Sequence, residues 1–239
     1  MSEPISRSIV VLGASLLLGL IALGWLIGHT AVKVKSLERT VVVKGLSERE
    51  IPADIAIWPL TFQEASNDLN GLFETIQRKN ALIVEFLAKH GIAREAISVA
   101  APAVNDLHAQ SYGDKSQILY RYTASSTVTV YSNDVEAVRK SMRDVITLGK
   151  QGIALGGEGY QNQTQFEFSG LSALKPAMIE EATRNARSVA EEFAADSESR
   201  LGKIRSAQQG QFSIENRDST TPYIKKVRVV STIEYYLAD

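Results

Sequence analysis

Nineteen consecutive uncharged residues, Ile9 to Ile27, constrain this chain more than any other stretch. They are mostly Leu, Ile and Val, broken only by Ser15, Trp25 and a few Gly and Ala. As a helix rising about 1.5 Å per residue the run spans roughly 28 Å, close to the hydrocarbon thickness of a bilayer. The expectation is therefore a folded body attached to a membrane-inserting helix. Trp25 sits where an interfacial aromatic belongs, with Lys33 and Lys35 beyond it. A cleaved signal peptide has a shorter apolar region ending in small residues at an A-x-A-like site. Here the exit reads Gly28-His29-Thr30-Ala31-Val32-Lys33, so an uncleaved anchor is expected. Residues 1–8 then form a short tail, 9–27 the anchor, 28–39 a linker and 40–239 the body. Lys33, Lys35 and Arg39 on the body side outweigh Arg7 on the other, which by the positive-inside rule favours a cytoplasmic body.

The 239 residues, 44% of them hydrophobic, are enough for one fairly large or two small domains with a core. Lys and Arg number 26 against 27 Asp and Glu, so no global field draws the chain to nucleic acid. It has no cysteine, which excludes disulfides, thiolate metal sites and cysteine nucleophiles together.

In the body, Thr40 to Gly45 and Ile51 to Gln63 are β-rich and read together as a hairpin, with Pro59 marking an edge or a bulge. Asn67 to His90 carries Leu69, Leu72, Phe73, Ile76, Ile83 and Leu87 on one helical face, with Ser66 or Asn67 as N-cap and Gly91 after the last turn. Ala96 to Val104 reads as a strand and Asn105 to Lys115 as a polar loop. Ile118 to Tyr131 alternates, with Ile118, Tyr120, Tyr122, Ala124, Val128 and Val130 on the dry side. Asp134 to Leu148 reads as a helix stopped at Gly149, and Tyr160 to Ser169 as another strand. Ser172 to Leu201 is the longest amphipathic helix, with Leu174, Met178, Ala182, Ala186, Val189 and Phe193 inward. Lys203 to Glu215, interrupted by Gly210, and Ile224 to Leu237 close the chain as strands. The fold class is α+β, with β-α-β-β units, antiparallel or mixed sheets and long helices on one face. Residues 54–131 and 161–237 share element order at an offset of about 106 residues, which suggests a pseudo-repeat. Chance likeness between α+β segments is an equal alternative.

The body resembles the SIMPL-domain family, specifically its membrane-anchored bacterial branch. The resemblance is carried by Val41-Val42-Val43-Lys44-Gly45, Asp54-Ile55-Ala56 after Pro52, Gly91-Ile92, Phe166-Glu167-Phe168, the Ala182, Ala186, Ala190 helix and Leu201-Gly202-Lys203-Ile204. Ala53 separates Pro52 from Asp54, where the family pattern has them adjacent. The resemblance implies an envelope protein of the bacterial inner membrane with a periplasmic body. It also implies a large ring-like or channel-like homo-oligomer, as in related periplasmic immunogenic proteins, and no established enzymatic activity. It assigns Gly45, Asp54, Ala56, Gly91, Phe166, Phe168 and Gly202 as motif positions with structural roles, and it turns the orientation against the local charge bias.

Chemistry is sparse. His29, His90 and His108 lack the spacing of a metal site, and no cofactor motif is present. Gly156-Gly157-Glu158-Gly159 precedes a strand, whereas a phosphate loop follows one, and no G-x-S-x-G occurs. Asp54 as a lone acid reads as a turn cap, and Tyr120 and Tyr122 read as core residues before a stacking platform. Two readings remain. One is a non-enzymatic, self-associating envelope protein that supports envelope integrity or stress tolerance. The other is a small-molecule or lipid-binding, or hydrolytic, domain that uses 105–115 and 156–159 as a pocket rim.

Overall fold

The computed structural model describes residues 4–36, 39–109, 118–156 and 163–238. Helix α1 (Pro4–Ser36) carries the apolar run; within it the 22 residues Val10–Ala31 contain an 18-residue window of mean hydropathy 2.5, long and apolar enough to cross a membrane. Its large apolar side chains from Val10 to Ile27 are 54–69% exposed, an arrangement that hydrocarbon tolerates and water penalises. After it come β1 (Thr40–Pro52), β2 (Ile55–Ser66), α2 (Leu69–Lys89), β3 (Ile97–Val99), β4 (Ala103–Asp106) and β5 (Tyr122–Ser132). The chain continues through α3 (Val135–Asp144), α4 (Ile146–Lys150), β6 (Gln165–Glu167), α5 (Leu171–Asp196), β7 (Arg200–Gln209), β8 (Ser213–Asn216) and β9 (Ile224–Ala238). This is an α+β fold whose assigned strand pairings are antiparallel. The chain divides into two compact units: residues 1–48, 175–213 and 228–239, and residues 49–174 and 214–227.

In the first unit the strand order is β1-β9-β7, and α5 covers one face. Met178, Ala182, Ala186, Ala190 and Ala194, at intervals of four, are its buried line. Small side chains there let the helix lie directly on β1. A Cβ on Gly45 would stand 1.9 Å from the Ala182 carbonyl oxygen and 2.4 Å from the Ala186 nitrogen. This contact corrects the expected inner face: Val189 and Phe193 are 47% and 54% exposed, and Ala190 and Ala194 take the buried places. The helix ends in two crossed hydrogen bonds, Ser199 N–H to the Ala194 carbonyl (2.8 Å) and Glu198 N–H to that of Ala195 (3.1 Å), with Glu198 at φ 53°. Gly210 interrupts the strand run as expected, its N–H donating to the Val230 carbonyl at 2.8 Å.

The second unit holds a five-stranded sheet, β3-β5-β2-β6, with β4 also paired to β5. Ala56, Trp58, Leu60 and Phe62 alternate into its core, facing Leu72, Ile76, Ile83 and Leu87 of α2. The expected hairpin of the first two strands does not form, since β1 pairs with β9 and β2 with β5 and β6. The chain is redirected after Pro52, where Ala53 N–H donates to the Tyr223 carbonyl (2.8 Å) and Asp54 N–H to that of Glu167 (2.9 Å). Helix α2 is capped by Asp68, whose carboxylate accepts from Asn70 and Gly71 N–H; Ser66 Oγ instead accepts from Asp68 N–H. Gly91 closes it at φ +85°. Leu69 and Phe73, expected inward, are each 37% exposed, and Phe86 is buried in their stead.

Other boundaries shift for local reasons. The strand expected over 96–104 breaks at Ala100–Pro102 into β3 and β4, and the helix over 134–148 breaks at Val145 into α3 and α4. Tyr120 lies before β5 rather than in it and is 45% exposed, while Tyr122 packs at the core margin. Strand β6 is three residues long, and residues 160–162 of the expected strand lie outside the described residues. So do 110–115 of the polar loop and Gly157 to Gly159 of the glycine cluster.

Candidate functional site

The motif residues stand in separate places, and each makes contacts with backbone or core. Asp54 accepts from Ser169 N–H at 2.8 and 3.1 Å and from its hydroxyl at 2.8 Å, holding the turn into α5. Ala56 is wholly buried between Ser132 and Phe166 of the neighbouring strands. Phe166 meets Tyr223 edge-on, its centroid 6.1 Å away, and the Phe168 ring lies over Gly170. A Cβ on Gly202 would come within 2.8 Å of the Tyr236 carbonyl oxygen. Gly45 meets α5 and Gly91 ends α2, as described above.

The histidines are equally dispersed. His29 stacks on Trp25, and His90 lies between the Phe86 carbonyl (2.8 Å) and the Asp144 carboxylate (3.2 Å). His108 N–H donates to Asp106. Among the described residues no group of three or more His, Asp or Glu could hold a metal ion. Several charged residues are shifted by their surroundings, Asp106 and Lys225 among them. The Arg121 guanidinium holds the Asp106 carboxyl below its ordinary range, and burial pushes the Lys225 ammonium down against the opposing field of Glu167. Lys225 also contacts Asn216 Oδ1.

A concave feature of the second unit is a groove on the flank of β2. There β6 pairs only with Ile55 to Ile57, and the next contact is the bridge from Phe62 to Leu155, where Gly156 N–H donates to the Thr61 carbonyl at 2.9 Å. Between these points lies an open volume of about 290 Å³, lined by Trp58, Pro59, Leu60 and Thr61 of β2 and by Met142, Val145, Leu155 and Gly156. Because the Thr61 carbonyl turns to this flank, so does the backbone of Pro59 two residues earlier, which has no N–H to offer. Proline here discourages a further strand from pairing in the gap. No titratable side chain lines the groove among the described residues, so its walls suit apolar contact more than proton transfer. Sequence reasoning missed Trp58, Met142, Val145 and Leu155; its signals were Pro59 within a strand run and Gly156, which it placed on a pocket rim.

A family model described as SIMPL, protein of unknown function (DUF541), matches residues 41–233, most of the chain beyond the apolar helix. The chain belongs to the SIMPL family. No curated protein matches it. SIMPL is thus a family of unknown function rather than a known enzyme family, and here its domain follows a helix compatible with a membrane anchor or a signal sequence.

Proposed function

We propose that this SIMPL protein is a non-enzymatic envelope protein. Its α1 anchors it in the bacterial inner membrane, its body lies on the periplasmic side, and it works by self-association, supporting envelope integrity or stress tolerance. The observation that carries this reading is the 22-residue apolar helix, with its large side chains exposed, directly ahead of a SIMPL body. The edge strands of the first unit's sheet, β1 and β7, offer surfaces for assembly. Crosslinking in native membranes should give discrete high-mass species of the full chain; a monomer band alone would contradict self-association.

A second reading, a small-molecule or lipid-binding (or hydrolytic) domain at the membrane surface, is favoured by the apolar groove beside Pro59. It predicts that an apolar ligand raises the melting temperature, since binding only the folded state stabilises it. A screen of metabolites and envelope lipids without any shift would count against it.

A further inference from the structure

The first unit has two ends, and the short tether holds one of them within reach of the bilayer, given the anchor reading above. The apolar span ends at Ala31, α1 ends at Ser36, and β1 begins at Thr40. Helical rises of about 1.5 Å and extended residues of about 3.5 Å put Arg39 no more than ~20 Å from the edge of the hydrocarbon. Headgroups occupy about 5–8 Å of that distance. Arg39 is fastened to one end of the sheet: its carbonyl accepts from Leu237 N–H at 2.8 Å, and its guanidinium donates to Ser199 Oγ at 3.1 Å. The last turn of α5 closes against Ser199, and Arg200 begins β7 opposite Ala238. The far end of β1, near Glu48, stands up to about 25 Å further along the strand.

At this near end Phe193 is 54% exposed and Val189, one turn above, 47%. Asn185 lies on the same row of the helix and donates to the Leu46 carbonyl at 2.8 Å, so the row runs along the β1 flank. Arg200 and Lys203 are exposed nearby, with Asp196 and Glu198 among them. An aromatic ring beside charges of both signs, tethered close to the headgroups, matches the chemistry of an interfacial contact. Cations meet phosphates, carboxylates meet headgroup ammonium, and the ring takes the boundary below. We propose that the α5–β7 end of this unit rests on the bilayer the anchor enters, with Phe193 in the zwitterionic headgroup layer.

The full chain has no cysteine, so single labels can be placed without competition. In phosphatidylethanolamine–phosphatidylcholine vesicles, a fluorophore on Val189→Cys should lose most of its signal to a lipid-borne quencher and little to aqueous iodide. A label on Ala177→Cys, twelve residues back along α5 and about 18 Å higher, should do the reverse. Adding Phe193→Ser to Val189→Cys should weaken the lipid quenching. Iodide quenching at 189 equal to that at 177 would overturn the proposal. So would shielding at 189 from both quenchers, as a second copy covering the row would produce. A chain that fails to float with vesicles would overturn the anchor reading as well, which separates the two failures.

Discussion

At the scale of single residues, two backbone positions and one carboxylate yield predictions. Gly45 has no room for a side chain, because its absent Cβ would overlap backbone atoms of α5 that cannot swing aside. Gly45→Ala should cost about 3 kcal/mol, measured by chemical denaturation in mild detergent. Glu198 presents the opposite case: a left-handed backbone conformation that favours glycine is held by glutamate at φ 53°. Glu198→Gly should stabilise the protein by about 1 kcal/mol, seen as a raised Tm. Asp218 is held well below the ordinary carboxylate range by hydrogen bonds from Thr221 and Thr220 and by Arg217. Since its folded value lies below its unfolded one, its contribution is present above about pH 4 and is lost as the pH falls further. The protection of the Thr220 and Thr221 amides against hydrogen exchange, taken relative to their intrinsic rates at each pH, should therefore fall as the pH drops below about 4, and Asp218→Asn should remove that dependence. Much of this was hidden in the sequence. Gly45 stood out as a motif residue, but what it makes room for lies some 140 positions away on α5.

Elements were legible where local rules govern them. Helix α2 follows from its apolar period and from Gly91, while its cap moved to Asp68 because Ser66 is used to receive the Asp68 amide. Which face of it is buried was less legible, since Leu69 and Phe73 fit the period as well as Phe86 does. Phe86→Ala should cost about 3–4 kcal/mol, and Phe73→Ala under about 1, in the same denaturation measurement. Helix α5 misled for a related reason. Larger Val189 and Phe193 score higher for burial than Ala190 and Ala194, yet close approach to a strand selects the smaller residues. Strand pairing was the least legible level. Neighbours in sequence, β1 and β2, part into different sheets because hydrogen bonds from Ala53 and Asp54 to distant carbonyls turn the chain. The groove beside Pro59 was illegible for the same cause, as it exists only where β6 stops short on β2.

For the whole molecule, α1 is the part most plainly written in the sequence, and it bears on the account more than any other element. A helix whose leucines from Leu12 to Leu26 are exposed is costly in water and fits hydrocarbon, so deleting residues 1–36 should release the body into the soluble fraction after cell lysis. Membership of the SIMPL family gives the body its place among known proteins and leaves its activity open, so the central claim is physical: an anchored body that acts by assembling with copies of itself. The measurement that tests this most directly is the protein mass of the full-length chain, extracted in mild detergent, by light scattering that separates protein from micelle. The expected result is a discrete oligomer whose mass is a whole multiple of 26.1 kDa. A single 26.1 kDa protomer at every detergent and protein concentration would contradict it and shift the weight to the ligand-binding reading of the groove.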